Sequence, residues 1–301
     1  CEIREVRIAS LPVFSDRDGP LQSLNQFHMR TRPEVVRREV LFEPEDRWEQ
    51  RVADETERNL QDLAFSSVAV VLPVVPAEEL DDYLKASDCR PVDVLVVTRD
   101  LWSLRANTLF EYQDGTLSRL KVQLTESNFL GRRKQLSATF DMDLGAFSVT
   151  PAYYDPNVLG SHWEVSVTGG PVFTRESGEF EGGQGSIQVA YPIWNLDRHW
   201  GFQFSANFTD RTVRRFLGSD LREYDAPETP TEESVPQRYD LESVTVSSRG
   251  TYAHGESVRH EWSAGYRVES VRPSFVDGFP YGPEVERAFR RDILPRDELL
   301  S

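Results

Sequence analysis

Residues Leu117–Asp155 read LSRLKVQLTESNFLGRRKQLSATFDMDLGAFSVTPAYYD, and this stretch decides the fold. In its middle, Leu136, Ala138, Phe140, Met142 and Leu144 alternate with Gln135, Ser137, Thr139, Asp141 and Asp143. A period of two with one apolar and one polar face specifies a β-strand. The preceding segment sets Leu120, Val122 and Leu124 against Lys121, Gln123 and Thr125. The following one sets Phe147, Val149, Pro151 and Tyr153 against Ser148, Thr150 and Ala152. Short turns at 128–133 and 144–146 join the three into an antiparallel meander. Alternation alone also suits a soluble sandwich. Length and face chemistry separate the two: a strand of ~10 residues, rising ~3.3 Å each and tilted ~45°, spans ~23 Å, about the apolar height of an outer membrane. Asp141 and Asp143 suit a wet lumen better than a dry core. The expected architecture is therefore a transmembrane β-barrel whose apolar side chains meet lipid.

The same alternation recurs downstream. Trp163, Val165 and Val167 oppose Glu164, Ser166 and Thr168, and Phe202, Phe204, Ala206 and Phe208 oppose Gln203, Ser205, Asn207 and Thr209. Leu136, Phe140, Met142, Val165, Phe202 and Phe204 are the expected lipid-facing residues, with Phe140 near mid-membrane. Further strands are expected at 104–112, 184–191, 238–250 and 258–273, the first turning at Asp114-Gly115. The segments 175–183 and 217–237 read as loops, as does Gly182-Gly-Gln-Gly185, which no helix follows and which is therefore no phosphate cradle. The turns after the second, fourth, sixth and eighth strands are short, and of the others the third, fourth and last are longer, the barrel habit. Tyr112, Tyr153, Tyr154, Tyr191, Trp194, Trp200 and Trp262 are expected at the membrane interfaces, since each ring has an apolar body and a polar tip.

Upstream, residues 1–100 alternate strand and helix. Ile3–Ala9 reads as a strand and Ser15–Arg30 as a loop. Thr31-Arg-Pro-Glu34 has the form of a capping box, opening a short helix to about Leu41. Pro44-Glu-Asp46 opens a second, with Trp48, Val52, Thr56, Leu60 and Leu63 on one face. Ser66–Val75 is a β-branched strand that Pro73 directs to an edge, 77–91 an acidic connection, and Val92–Val97 the partner strand.

At this point the residues resemble a family. Glu126-Ser-Asn-Phe-Leu-Gly131, the Tyr154-Asp-Pro-Asn157 turn, and Tyr191-Pro-Ile-Trp194 followed by Trp200 resemble the BamA-like outer-membrane assembly superfamily. The order strand, helix, helix, strand, strand resembles its polypeptide-transport-associated (POTRA) domain, as does the passage from Leu60 through Leu63-Ala-Phe-Ser-Ser to Val68. The resemblance implies an α+β POTRA-like periplasmic domain over 1–100 and an antiparallel outer-membrane barrel over 101–301. About nine strands are visible, without the family's Arg-Gly-aromatic loop motif or a closing strand with a terminal aromatic, so the barrel is expected to be incomplete. It also implies a first barrel strand, Leu104–Tyr112, that pairs weakly with the last as a lateral gate.

Composition agrees with a chain of this kind. The 301 residues carry 50 acidic and 34 basic side chains, a net charge of −16, which argues against a nucleic-acid partner, since that would want a basic stripe. No run of 18 apolar residues occurs, so no transmembrane helix is expected. No signal peptide is visible, as for a mature chain or an excised piece. Cys1 and Cys89 each precede a predicted strand, and a disulfide joins them in this reading; lipid acylation of Cys1 is the alternative. His28, His162, His199, His254 and His260 lack metal-ligand spacing, no Gly-x-Ser-x-Gly elbow occurs, and Asp141/Asp143 on a wet lumen need no catalytic role. No enzyme activity, cofactor or metal is expected. Arg132, Arg133 and Lys134 are either a solvated turn or a contact for anionic lipid.

The leading functional expectation is assistance to the insertion or translocation of other polypeptides by strand addition. Two edges are candidates: Ser67, Val68, Val70 and Leu72 upstream, and Leu104, Ala106, Asn107 and Leu109 on the opening barrel strand. Unfolded outer-membrane or secreted polypeptides, outer-membrane lipid and periplasmic accessory proteins are the expected partners. The alternatives are a pore secreting a dedicated partner and a soluble all-β binding protein, which detergent dependence would separate.

Overall fold

The computed structural model describes residues 1–61, 66–85, 90–226, 234–255, 258–276, 280–295 and 298–300. The chain divides into two compact units: Cys1–Arg105 with Thr125–Leu136, and Ala106–Leu124 with Ser137–Ser301.

The first unit runs β1 (Ile3–Leu11), a 3-10 segment (Asp16–Phe27), α1 (Pro33–Glu39), α2 (Gln50–Gln61), β2 (Ser66–Val74), α3 (Leu80–Lys85) and β3 (Val92–Asp100). Its sheet has the order β1-β3-β2, with β1 parallel and β2 antiparallel to the central strand. Val94 and Val96 of β3 meet Val35, Val36, Ala53 and Leu60 of the helices in one core. Central position and a buried face explain why β3 is the most β-branched stretch of this unit.

Three expectations change here. The Thr31–Glu34 capping box does not form. Arg32 is the N-cap of α1 and no side chain caps it, because the Thr31 hydroxyl donates instead to the buried Asp100 carboxylate at 2.8 Å. The region expected as a loop is 3-10 helical, with its own box: the Ser15 N–H and hydroxyl both donate to Asp18, at 2.6 and 2.8 Å. Pro44–Asp46 does not open α2. The Ile3 N–H donates to the Asp46 carbonyl, Glu45 N–H to the Ile3 carbonyl and Trp48 N–H to the Cys1 carbonyl, so this backbone already serves β1 and α2 starts at Gln50. Within the acidic connection, α3 adds a short helix. Leu63 and Cys89 lie outside the described residues.

A ten-stranded antiparallel sheet accounts for most of the rest, in the order β17-β16-β15-β10-β9-β8-β7-β6-β5-β4. Its long strands are β4 (Leu104–Gln113), β5 (Thr116–Phe129), β6 (Lys134–Met142), β7 (Ala146–Asp155), β8 (Glu164–Thr174), β9 (Phe180–Tyr191), β10 (Trp200–Arg214), β15 (Arg238–His254) and β16 (His260–Ser274). The tenth, β17 (Glu298–Leu300), is a stub paired to β16. Among the described residues β4 and β17 end the sheet without pairing to each other.

Gly182–Gly185 lies inside β9 rather than in a loop. Gly182 sits at φ +152°, and a Cβ there would meet the Asp210 carbonyl at 2.2 Å, so glycine is what lets the strands close up. The connection at 175–179 shortens accordingly, and the third loop is not a long one. The long connection between β10 and β15 carries two ribbons, β11 (Phe216–Leu217) with β12 (Asp220–Leu221) and β13 (Glu223–Asp225) with β14 (Ser234–Pro236). After β16, where a loop was expected, α4 (Pro283–Asp292) buries Val285 and Phe289 against Val235 and Tyr239. Partly buried Val213 and Leu241 pack on the same cluster.

Candidate functional site

The register of the sheet turns separate alternations into one continuous face. Phe202, Phe204, Ala206 and Phe208 pair with Tyr191, Val189, Ile187 and Gly185 on one side and with Gly250, Ser248, Val246 and Val244 on the other. Val189 and Ile187 pair in turn with Val165 and Val167, and Val167 with Tyr153. Cross-strand partners share a face, so these residues form one apolar surface. Phe202 and Phe204 are 53% and 45% exposed on it.

Aromatic rings bracket that surface at both ends. At one end Phe140, Phe147, Phe173 and Phe180 follow one another at centroid separations of 6.0, 5.2 and 6.2 Å. At the other, Trp163 lies 5.2 Å from Tyr191, and Trp200 lies 4.8 Å from Tyr252, whose register partner is Trp262. From Phe180 to Tyr191 the strand rises ~36 Å, or ~25 Å along an axis tilted ~45°, the height of a barrel's apolar band. Phe140 thus stands in an end band rather than midway. Tyr154 pairs with Ser166 on the opposite face, and Trp194 lies in a turn, stacked on His162 at 3.8 Å. Tyr154 is therefore not in the bands.

The opposite face is polar. Ser205 and Ser247 share a hydrogen bond of 2.8 Å, Gln184 donates to Thr150 at 3.2 Å, and Arg119 pairs with Asp141 at 3.3 Å. A recess of ≈310 Å³ opens there, lined by Arg119, Asp141, Ser148, Gln184 and Arg211. Val213 and Leu241 occupy the polar face's register positions, pairing with Tyr239 and Arg211, so the α4 cluster packs on that side.

The two candidate edges differ. On β2, Val68 and Leu72 are 45% and 46% exposed, but α2 has already taken part of the outward backbone. Glu57 accepts the Val71 N–H at 2.7 Å and Gln61 donates to the Ala69 carbonyl at 3.4 Å. Pro73 has no N–H to offer, and the Ser67 hydroxyl turns back to the Arg99 carbonyl at 3.1 Å. These are the devices that blunt an edge. On β4 all ten residues are exposed, Leu104, Ala106, Asn107 and Leu109 among them, and no strand lies beyond it among the described residues.

Sequence reasoning missed a buried polar cluster in the first unit. Asp100 accepts from the Thr31 N–H and hydroxyl, each at 2.8 Å, and lies 3.1 Å from His28 Nε2. Asn128 donates to Thr31 Oγ1 at 2.9 Å and accepts the Arg133 N–H at 3.0 Å. Gly131, at φ +68°, approaches so closely that a Cβ would meet the Arg30 carbonyl at 2.3 Å. Asn128 and Gly131 of the Glu126–Gly131 motif are thereby explained. The Arg133 guanidinium donates to the buried Glu39 at 2.6 Å. Ser103 Oγ lies 3.4 Å from His28 Nδ1, which aligns Ser103, His28 and Asp100 in the order of a hydrolase relay. Ser103 itself is buried, 4% exposed. No group of three or more His, Cys, Asp or Glu is placed to hold a metal among the described residues.

Solved structures similar to this chain include two outer-membrane proteins. One is BamA from Haemophilus ducreyi lacking POTRA domains 1–3, with a TM-score of 0.48 and 12% identity over 90% of this chain and 56% of that one. The other is CdiB from Acinetobacter baumannii, with a TM-score of 0.45 and 10% identity over 90% of this chain and 46% of that one. The chain thus spans about half the length of each of these two solved chains. No protein-family profile and no curated protein matches the sequence.

Proposed function

We propose that the chain contributes the wall of an outer-membrane β-barrel, with the first unit a POTRA-like domain in the periplasm, and that it assists insertion or translocation of other polypeptides. The observation that carries the reading is an open edge, β4, on a sheet whose exposed apolar face is bracketed by aromatic bands. A banded face of that height suits a bilayer, and the polar face suits a wet interior. An edge strand inside such a wall is a template for an incoming extended chain, whose backbone groups find partners there that hydrocarbon denies them. β4 is favoured over β2 because strand addition at β2 must first displace Glu57 and Gln61. No chemical step is assigned to the chain. Clients are unfolded outer-membrane or secreted polypeptides.

Secretion through the interior is the rival, and the α4 cluster on the polar face weighs against it, since a chain passing there would have to expel a packed apolar core. Photo-crosslinking separates the two. With the full-length protein in bilayers, a crosslinker at Asn107 should capture an unfolded barrel polypeptide during insertion, and one at Ser205 on the polar face should not. Capture at Ser205 alone would transfer the function to the pore.

A further inference from the structure

We infer that residues 77–85, α3 and the 3-10 turn before it, form a docking surface for a basic amphipathic segment of a partner protein. A helix this short holds its shape in water only by burying a face, because isolated helices below ~12–15 residues are marginal. These nine residues bury none of their own. Leu80 and Leu84 stand 44% and 72% exposed, and, being one turn apart, they lie on the same side of the helix. Glu79 and Tyr83, also one turn apart, hold the neighbouring flank to β1. Glu79 pairs with Arg4 at 3.3 Å, and the Tyr83 hydroxyl lies 3.8 Å from Cys1 Sγ. The leucine ridge is left facing outward, with exposed Glu78, Asp81 and Asp82 around it.

Charge selects the occupant. A second copy of this chain brings a net charge of −16 and is repelled. An anionic lipid surface is repelled by the same carboxylates. An uncharged apolar strand would gain nothing from them. A segment with apolar residues between lysines or arginines satisfies both features, with leucines as the buried anchor and carboxylates as the polar rim. The inference does not depend on strand addition at β4.

The test uses the full chain in zwitterionic nanodiscs and a fluorescent amphipathic helix built of Leu and Lys, with its Leu/Glu counterpart as control. The Lys peptide should bind, weaken with added salt, and lose about tenfold in affinity with Leu80→Ser/Leu84→Ser, a loss of about 1.4 kcal/mol. Asp81→Asn/Asp82→Asn should weaken it severalfold and flatten the salt dependence. The melting temperature should stay put in both variants, since α3 buries no side chain; if the leucine variant unfolds, the charge variant and the Glu peptide decide. No binding by the unaltered chain, equal binding of the two peptides, or full binding by the charge variant would each overturn the inference.

Discussion

At the scale of residues, β3 carries two buried carboxylates that are held in different ways. Asp93 is 1% exposed and sits between Arg4, at 2.8 Å, and Arg7, at 3.2 Å. The hydrogen bond from Arg4 holds its pKa below the ordinary carboxylate value, against the opposing effect of burial. A depressed folded-state pKa contributes stability that is present above the unfolded pKa of ~3.9 and is lost as pH falls through the folded value. Acidification below about pH 4 should therefore destabilise the first unit, and Asp93→Asn should lower stability at neutral pH while flattening that acid limb in thermal unfolding at pH 7, 4, 3 and 2. An unchanged acid limb in the variant would assign it to other groups. Asp100 depends on donors rather than on an arginine. Thr31→Val removes its hydroxyl donor and an acceptor for Asn128 together, so it should cost about 1–3 kcal/mol in urea unfolding; a neutral result would mean water replaces both bonds. A disulfide between Cys1 and Cys89, expected from the sequence, would be a third local constraint. Mass spectrometry of non-reduced peptides should find the two linked, and reduction should cost ~2–4 kcal/mol. Two free thiols in periplasmically expressed protein would remove the bridge.

At the scale of elements, the test concerns depth as well as face. Phe204 lies between the aromatic bands and Ser205 on the polar side, so Phe204→Arg should destabilise the full-length barrel by ~2–4 kcal/mol and Ser205→Arg far less. Phe140→Arg, in the end band, should fall nearer ~0–1 kcal/mol. Reversible unfolding in bilayers reads all three, and equal costs at 204 and 205 would contradict the face assignment. Strands and their faces were legible in the sequence because period 2 depends only on neighbouring residues and persists across the sheet. What was not legible depended on partners remote in the chain. The Thr31 hydroxyl is drawn from its helix by Asp100, 69 residues away. The start of β9 hides behind glycines that a local reading takes for a loop. The blunting of β2 lies in Glu57, whose only local signature is a charged residue on a helix. The banded face was half legible: the aromatics stand out in the sequence, but only register shows that Tyr154 faces away and that Tyr252 belongs with Trp200.

At the scale of the whole molecule, the proposed function raises the question of how a sheet with a bare edge would persist in a bilayer. Unpaired N–H and C=O groups facing hydrocarbon cost several kcal/mol each, so β4 must be paired in the membrane or open only transiently. Under the proposed function, its weakness as a permanent edge is what would make it an acceptor: an incoming strand that pairs with it gains what the bare edge lacks. The first unit's sheet shows the contrary solution, with Glu57 and Gln61 satisfying β2 from its own helix. One edge is thus satisfied from within its own unit, and the other, in the proposed membrane setting, would require a partner. A pair of cysteines, one at Asn107 and one facing it on the strand that closes against β4 in the assembled barrel, should form a disulfide on oxidation. Oxidised barrels should keep their strand content and resistance to unfolding, stop inserting a barrel polypeptide into bilayers, and resume when the bond is reduced. If locked barrels insert at the normal rate, exchange at β4 is not the mechanism, and passage through the interior, past the α4 cluster, becomes the reading to test.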